Sequence, residues 1–595
     1  MLQGRAVTES GPAANSRSGV KPSSAPTINR ILTLLFGLCA ALFFIFSVIG
    51  TVRNYSPVPW WDMWDDYIGF YLRAHAGVWG AWWAQHNEHR IILARLFFWI
   101  DIKYFHGNGI FCLVVIYVFA LAVGLIFAKI WREQSQGQDL YILLFVEAWI
   151  FCWMQQENFT WAFQSQFILA QLLPLAALYF LHLSLARPNK TEIYFAAATV
   201  CGILAVGSMA NGVLALPAMA VYAVMTRNLR RATFFVALSV IEIVFYFQNF
   251  STASPTLPGG ITRHLGGFIE FFLRYLGGPF IALIGFKHGA IIIGELAGGV
   301  LVLISAVALV ANLRRAKRAS LPLALVTFIL YIMATAAITA AGRLSFGLHE
   351  ALASRYQTPA LYVWAAALLL YWPAIVKSVQ FRNVFSMFLA ALLFFVMLPR
   401  QVQALAMHRE MQYQRELGAL ALELQINDED RILQLYPGPK LALDLAYQAR
   451  QQHLSIFGIP PLRDANLLLG QKIKTGLSKQ CPGHMDSFDV IPDAPDYVRV
   501  DGWLYDGKRV TTPERVILIN QTDEILGIGL LGAWRVDVAH VYSRRALYSG
   551  FEAYLSAKAN GQRIAILEPG DACHTPFMIA KFNSPAAVFP AASGN

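Results

Sequence analysis

Long apolar runs broken by short polar turns fill the first two-thirds of the chain. The first, from Ile31 to Thr51, is long enough to cross a bilayer, for which roughly 20 residues suffice. Comparable runs follow near 109–131, 139–155, 165–186, 192–209, 211–226, 232–250, 289–312, 321–341, 358–376 and 383–400. The pattern therefore predicts about eleven transmembrane helices within residues 29–400. The run 268–286 carries Glu270, Arg274 and a Gly-Gly-Pro break at 277–279, and reads as interfacial or re-entrant. Residues 1–28 are rich in Ser, Pro, Gly and Ala and read as a disordered cytoplasmic tail, without the form of a secretory signal peptide.

After residue 400 the periodicity changes. Residues 401–430 have helical spacing, and 401–486 reads as a helical linker region. From 487 short β-branched runs alternate with Gly, Pro and Asp, as in DYVRVDGWLYD and ERVILINQTD, which predicts a C-terminal β-sandwich over 487–595. The strand signals stop near 582, and the last dozen residues read as a loose end.

Composition excludes a large soluble enzyme: 56% of residues are hydrophobic, 14% are charged, and mean hydropathy is +0.48. An average soluble protein carries about 25% charged residues. The net charge of +11 has an address in alternate loops, which carry Lys129/Arg132, Arg187/Lys190, Arg227/Arg230/Arg231, Arg314/Arg315/Lys317/Arg318 and Lys377/Arg382. The positive-inside rule then places the N-terminus in the cytoplasm and the C-terminal domain outside, so nucleic acid is not needed to explain the basicity. Cys39, Cys112, Cys152 and Cys201 fall in apolar spans. Cys481 and Cys573 stand in the outer part, where an oxidising compartment permits a disulfide; their separation decides whether they pair.

The first outward loop, 52–107, differs from an ordinary connection. It reads PVPWWDMWDDYIGFY and then WGAWWAQHNEHRIILARLFFWID, with segments 65–82 and 88–104 resembling short interfacial helices. A lipid–water interface explains the tryptophans. It does not explain Asp62, Asp65, Asp66, His86, Glu88, His89 and Arg90 among them. A carboxylate at the edge of a low-dielectric site can take a proton from a hydroxyl, and Arg or His can neutralise a departing phosphate. Arg95 lies in the same loop, and a second outward loop, GRLSFGLHEALASRYQTP, adds Arg343, His349, Glu350 and Arg355. Snorkelling to the interface is the plainer role for the two flanking arginines. A third segment, QQENFTWAFQSQF, brings Glu157, Asn158 and Trp161, groups suited to hydrogen-bond and stack on sugars, and Asn158 opens a formal glycosylation sequon. Asn211, in the Met-Ala-Asn-Gly turn, is a further lining candidate.

With these motifs the chain resembles the GT-C class of membrane glycosyltransferases, such as protein O-mannosyltransferases, lipid A aminoarabinose transferases and bacterial arabinofuranosyltransferases. The likeness rests on Pro59-Trp60-Trp61-Asp62 soon after the first span, on HNEHR, and on the later arginine-bearing loop. Met63 stands where Glu commonly follows, which leaves Asp62 and Asp65 as alternative bases. The resemblance implies an inverting transfer from a polyprenyl-phosphate-linked sugar donor to a glycan, glycolipid or polysaccharide acceptor, on the outer face of a bacterial plasma membrane. It implies that His89, Arg90, Arg343 and Arg355 hold the donor phosphate. Trp61, Asp66, His86, Glu88, Glu157, Asn158, Trp161, His349 and Glu350 would surround the substrate, and the C-terminal domain would be periplasmic and carbohydrate-binding-like. No metal-ligand spacing occurs, although some members of the class require a divalent cation. Two other readings stand beside the enzyme: a transporter or flippase for a lipid-linked sugar, for which Glu147, Glu242 and Glu295 in or near spans argue, and a non-catalytic polysaccharide assembly protein.

Overall fold

The structure, a computed structural model, describes residues 25–251, 261–315, 320–473, 479–510, 512–568 and 573–582. Most of the predicted tail, the loop residues Lys317 and Arg318, and the predicted loose end lie outside the described residues. The first helix, Ala25–Arg53, begins inside the stretch expected to be tail.

Among the described residues, eight helices are long and apolar enough to cross a membrane: Asn29–Arg53, Ile110–Ser135, Ala162–Ala186, Leu265–Ile284, His288–Arg314, Ser320–Phe346, Ser354–Ile375 and Val379–Leu405. The sequence pattern predicts about eleven. The difference lies in runs that fold as shorter helices, Leu140–Ile150, Thr191–Ala205 and Ala215–Met225. At 1.5 Å per residue, Leu140–Ile150 is about 17 Å long, well short of the hydrocarbon thickness. Leu229–Tyr246 has 18 residues but carries Arg230, Arg231 and Glu242.

The bundle is sorted as lipid requires. Helix Ser165–Ala186 is buried around most of its circumference and forms the centre, as expected of a helix apolar on all sides. His288–Arg314 instead exposes Ile292, Leu296, Val300, Leu303, Val307 and Val310 along its length. Such a stripe is stable against hydrocarbon but not against water.

Helix Leu265–Ile284 continues unbroken through Gly277, Gly278 and Pro279. A Cβ on Gly277 would fall 1.8 Å from the carbonyl oxygen of Gly294, so this helix and His288–Arg314 touch backbone to backbone, the usual role of small residues in membrane packing. Near its start, Gly267 faces Leu344 beyond the end of Ser320–Arg343. Near its finish, Arg400 Nε donates to Leu283 O at 3.0 Å. Leu265–Ile284 is one of the eight helices long and apolar enough to cross, where the sequence pattern predicts an interfacial or re-entrant segment. Arg343 bonds Glu88 and Arg53 bonds Leu405, at the end of the bundle that carries loop 52–107. At the opposite end, His182 bonds Glu133 and Ser320, Arg231 bonds Ser184, and Asn29 bonds Asp139.

Residues 409–451, within the stretch read as a helical linker region, form a packed helical layer. Helices Arg409–Glu423 and Pro439–Gln451 lie between the bundle and the sheet. Tyr413 Oη donates to Leu530 O at 2.8 Å and accepts from the Glu552 N–H at 2.9 Å. Asp428 accepts from Tyr554 Oη at 2.8 Å, and Arg431 pairs with Glu552.

All described strands belong to one curved, half-barrel sheet, not to two stacked sheets as a sandwich demands. Its nine strands are β1 Lys479–Gln480, β2 Gly483–Val490, β3 Tyr497–Leu504, β4 Glu514–Asn520, β5 Ile525–Ala533, β6 Gly550–Ser556, β7 Arg563–Glu568, β8 Cys573–His574 and β9 Met578–Ile579. The order is β1-β8-β7-β4-β5-β6-β3-β2, with β9 also paired to β7. Strand alternation supplies two apolar faces. Val498, Val500, Val516, Leu518, Phe551 and Ile566 form a core of their own on one side. Ile517, Ile519, Ile528, Leu530 and Tyr554 join the main core on the other. Cys481 and Cys573 are disulfide-bonded with Cα atoms 5.8 Å apart, and the four remaining cysteines are free.

The glycine contact gives a direct prediction. Gly277→Ala will lower the thermal midpoint of the detergent-solubilised protein, at an overpacking cost of about 1–3 kcal/mol. Gly299→Ala, on the same helix pair but with open space around it, will leave the midpoint unchanged.

Candidate functional site

A cavity of about 750 Å³ opens where loop 52–107, the ends of several helices and the middle layer meet. It falls within the roughly 300–1,000 Å³ typical of small-molecule sites. One wall is built on a buried carboxylate. Asp66 is 3% exposed, and an ion so placed must be paired to persist. Arg95, fully buried on helix Ile92–Phe105, donates to Asp66 Oδ1 at 2.5 Å, and His86 Nδ1 contacts its other oxygen. The far nitrogen of His86 lies 3.4 Å from Asp62 Oδ2. Asp62 is about one-third exposed and faces the cavity, so the chain Arg95–Asp66–His86–Asp62 runs from core to cavity.

His86 reaches this position through a tight hairpin. The His86 and His89 backbones exchange N–H···O bonds of 2.8 Å each, with Asn87 between them at φ +47°. Asparagine tolerates that left-handed conformation better than most residues. The predicted interfacial helix at 88–104 accordingly starts only at Ile92.

Burial alone would push the His86 imidazole down, but hydrogen bonds and charge from Asp62 and Asp66 raise it to about 9. Burial of Asp66 works against its ionisation, yet His86 and Arg95 hold its pKa below the ordinary carboxylate value. His89 behaves oppositely: burial and the neighbouring His86 charge push it down to about 4. Its Nδ1 accepts from the Ala210 N–H at 3.2 Å, as a neutral imidazole can.

The opposite wall is held by paired ions. Arg343 donates to Glu88 at 2.9 Å, and Arg355 donates to Glu157 at 3.1 Å and also pairs with Glu350. Trp61 and Trp161 line the cavity beside Trp60, whose ring centroid is 5.0 Å from that of Trp161. Arg415 of the middle layer stacks over Trp60 at 4.5 Å, and Tyr436 and Pro437 cover the same mouth.

Several residues expected around the cavity turn elsewhere. Arg90, 4% exposed, donates to the carbonyls of Trp83, Tyr246 and Gln248 and fastens the loop instead of facing a phosphate. His89 lines the cavity, but burial pushes its imidazole down to about 4 and its Nδ1 accepts from Ala210, which does not favour a phosphate-binding cation. Asn158 is fully buried and donates to Arg355 O at 2.9 Å and Thr358 Oγ1 at 2.6 Å, so it positions Arg355 and is closed to glycosylation. Glu350 acts through Arg355, and His349 stands off the cavity wall. Asp65 lines the mouth but is engaged by Arg73 at 3.2 Å.

Part of the cavity floor carries no motif: Gln164 and Gln166 lie in QQENFTWAFQSQF and Asn211 in the Met-Ala-Asn-Gly turn, but Gln171, Thr335, Thr339 and Tyr275 stand outside any motif. Gln164, Gln166, Gln171, Thr335, Thr339 and Tyr275 line the floor together with Asn211. Three glutamines at the head of an otherwise apolar span were the available signal, since polar groups at membrane depth are costly without a role. Among the described residues, no group of three or more His, Cys, Asp or Glu is arranged to hold a metal ion. No protein-family model, curated protein or solved structure matches this chain.

The charge chain makes stability pH-dependent in a defined sense. His86 has a folded pKa raised from 6.5 to about 9, so its contribution is complete below pH 6.5 and lost as pH rises through about 9. Asp66 has a lowered pKa, so its contribution is complete above pH 3.8 and lost as pH falls through the depressed value. Thermal midpoints measured from pH 5 to about 10 will fall on the alkaline side, and His86→Gln will flatten that limb.

Proposed function

We propose that this chain is a membrane glycosyltransferase that transfers a sugar from a polyprenyl-phosphate donor to a cell-envelope glycan or lipid acceptor. The observation that carries this reading is the Asp62 carboxylate, exposed to a cavity at one end of the bundle and held beside a cationic His86. Asp62 is preferred over Asp65 as the base because it ends the buried chain, whereas Asp65 is committed to Arg73.

In the proposed reaction Asp62 takes the proton of an acceptor hydroxyl. The hydroxyl oxygen attacks the anomeric carbon as the bond from that carbon to the phosphate oxygen breaks. Polyprenyl phosphate leaves with the bonding electrons, and the sugar carbon is inverted. Arg343 and Arg355 offset the charge on the leaving phosphate; each guanidinium has five N–H donors, so pairing with Glu88 or Glu157 leaves donors for an anion.

The orientation belongs to the same proposal. The basic loops lie at the bundle end away from the cavity, which supports a cytoplasmic location for that end. The Cys481–Cys573 disulfide, on the cavity side, fits an oxidising compartment such as the periplasmic face of a bacterial plasma membrane.

Mass spectrometry of envelope glycans in cells lacking the gene, complemented with each variant, tests the reading. A sugar lost on deletion will be restored by the unaltered chain. Asp62→Asn will restore it at least about 100-fold less efficiently, within the range of a lost general base, and Asp65→Asn will cost under about tenfold. Full transfer by both variants sinks the assignment.

A further inference from the structure

We infer that a second cleft, between the bundle, the middle layer and the sheet, holds the acceptor beyond its reacting end, and that the acceptor is a glycan chain and not a lipid. The inference rests on the glycosyltransferase reading above and names the acceptor class for it.

The cleft has a volume of about 1120 Å³, beyond the roughly 300–1,000 Å³ of a small-molecule site. Stretches far apart in sequence wall it. Arg53 and Tyr55 come from the end of the first helix and the start of loop 52–107. Arg409, Gln412 and Glu416 share one face of helix Arg409–Glu423, as a spacing of three and four residues requires. Arg515 of β4 and Tyr548, just before β6, close the far side.

These walls suit hydroxyls better than ions or alkyl chains. Arginine and carboxylate side chains line the cleft in equal number, so neither sign of charge prevails. Gln412 Nε2 donates to Arg53 O and Tyr55 O at 3.0 Å each, which fixes the helix against the chain below it. Glu416 has one carboxylate oxygen, Oε2, sealed in the wall, while Oε1 is left open. Burial pushes this carboxyl up to about 7, so near neutral pH it can donate as well as accept, as a partner for hydroxyls should. The Tyr548 ring, with the Arg409 guanidinium 4.8 Å from its centroid, and the rings of Pro460 and Pro513 add flat surfaces on which the C–H face of a sugar can rest.

Position links the cleft to the reaction. Pro57 lines the cleft and Trp60 the cavity, three residues apart, or at most about 11 Å of extended chain. Arg415 and Glu416 are adjacent in the middle layer; the first stacks over Trp60 and the second lines the cleft. The two sites thus share a wall. A glycan held in the cleft can pass that wall and present one hydroxyl to Asp62. Contacts to its remote, unreacting sugars supply binding energy that orients the reacting one. A lipid acceptor brings only a headgroup, which the cavity alone accommodates, and leaves the cleft without a role.

The test uses the full chain in nanodiscs and, as probe, the delipidated envelope polysaccharide extracted from cells lacking the gene, with binding read by biolayer interferometry. Glu416→Ala, and Thr512→Trp, which sets a bulky ring in the cleft, should each weaken polysaccharide binding by about tenfold or more. Both should leave the thermal midpoint and the binding of synthetic farnesyl phosphate unchanged. Polysaccharide binding undiminished in both folded variants overturns the inference. A sugar that deletion removes from the lipid fraction and not from the polysaccharide also overturns it, with the glycosyltransferase reading intact. If deletion removes a sugar from neither fraction, that reading falls and this inference with it.

Discussion

The geometry of the cavity depends on one ion that should be unfavourable where it stands. Asp66 is buried beneath the first loop, and its charge is tolerated because Arg95 and His86 approach it from two sides. Removing either partner leaves the buried charge under-compensated, with the other partner and the more distant Arg73 at 3.7 Å, which is the costly direction of the buried-pair balance. The requirement ties three distant parts of the loop together: the turn at 62–66, the hairpin at 86–89 and helix Ile92–Phe105. Asp62 gains its position as a consequence. It sits beside His86 only because His86 is already committed to Asp66.

A second constraint comes from beyond the bundle. The Trp61 N–H donates to Leu435 O at 2.7 Å, and Trp61 sits at φ +49°, a conformation that a bulky side chain adopts only when its surroundings impose it. Leu435 belongs to the middle layer, which is locked to the sheet through Asp428, Arg431 and Tyr413. The sheet thus reaches the cavity through this layer, although no strand residue lines it. Its two apolar faces explain the arrangement: one closes on its own core, and the other needs the middle layer as cover.

Much of the cavity wall was legible residue by residue because charge is scarce in this chain. Asp62, Asp65, Asp66, His86, Glu88, Glu157, Arg343 and Arg355 stand out against apolar or aromatic neighbours, and all of them line the cavity. Arg90 shares the same local signature yet turns inward, while His89 lines the cavity with its Nδ1 accepting from the Ala210 N–H; the Tyr246 and Gln248 carbonyls and that N–H lie more than a hundred residues away. Asn211 was legible from its turn, but Gln171 went unread for a related reason. A glutamine in an apolar run gives no indication of whether its partner is another helix or empty space.

The amino-acid pattern by itself determined that the first two-thirds of the chain is a helical membrane region, that strands follow it, and that the charged cluster sits just beyond the first span. Hydrophobic period, run length and charge spacing are local quantities, so they survive without knowledge of the fold. Tertiary structure alone decided how many runs are long enough to cross, that the strands form one curved sheet, and that residues 409–451 are a packed layer. It also decided which members of the polar cluster face the cavity. Each of those outcomes depends on a partner supplied from elsewhere: a backbone carbonyl for Arg90, a buried carboxylate for His86, and a second apolar face for the sheet.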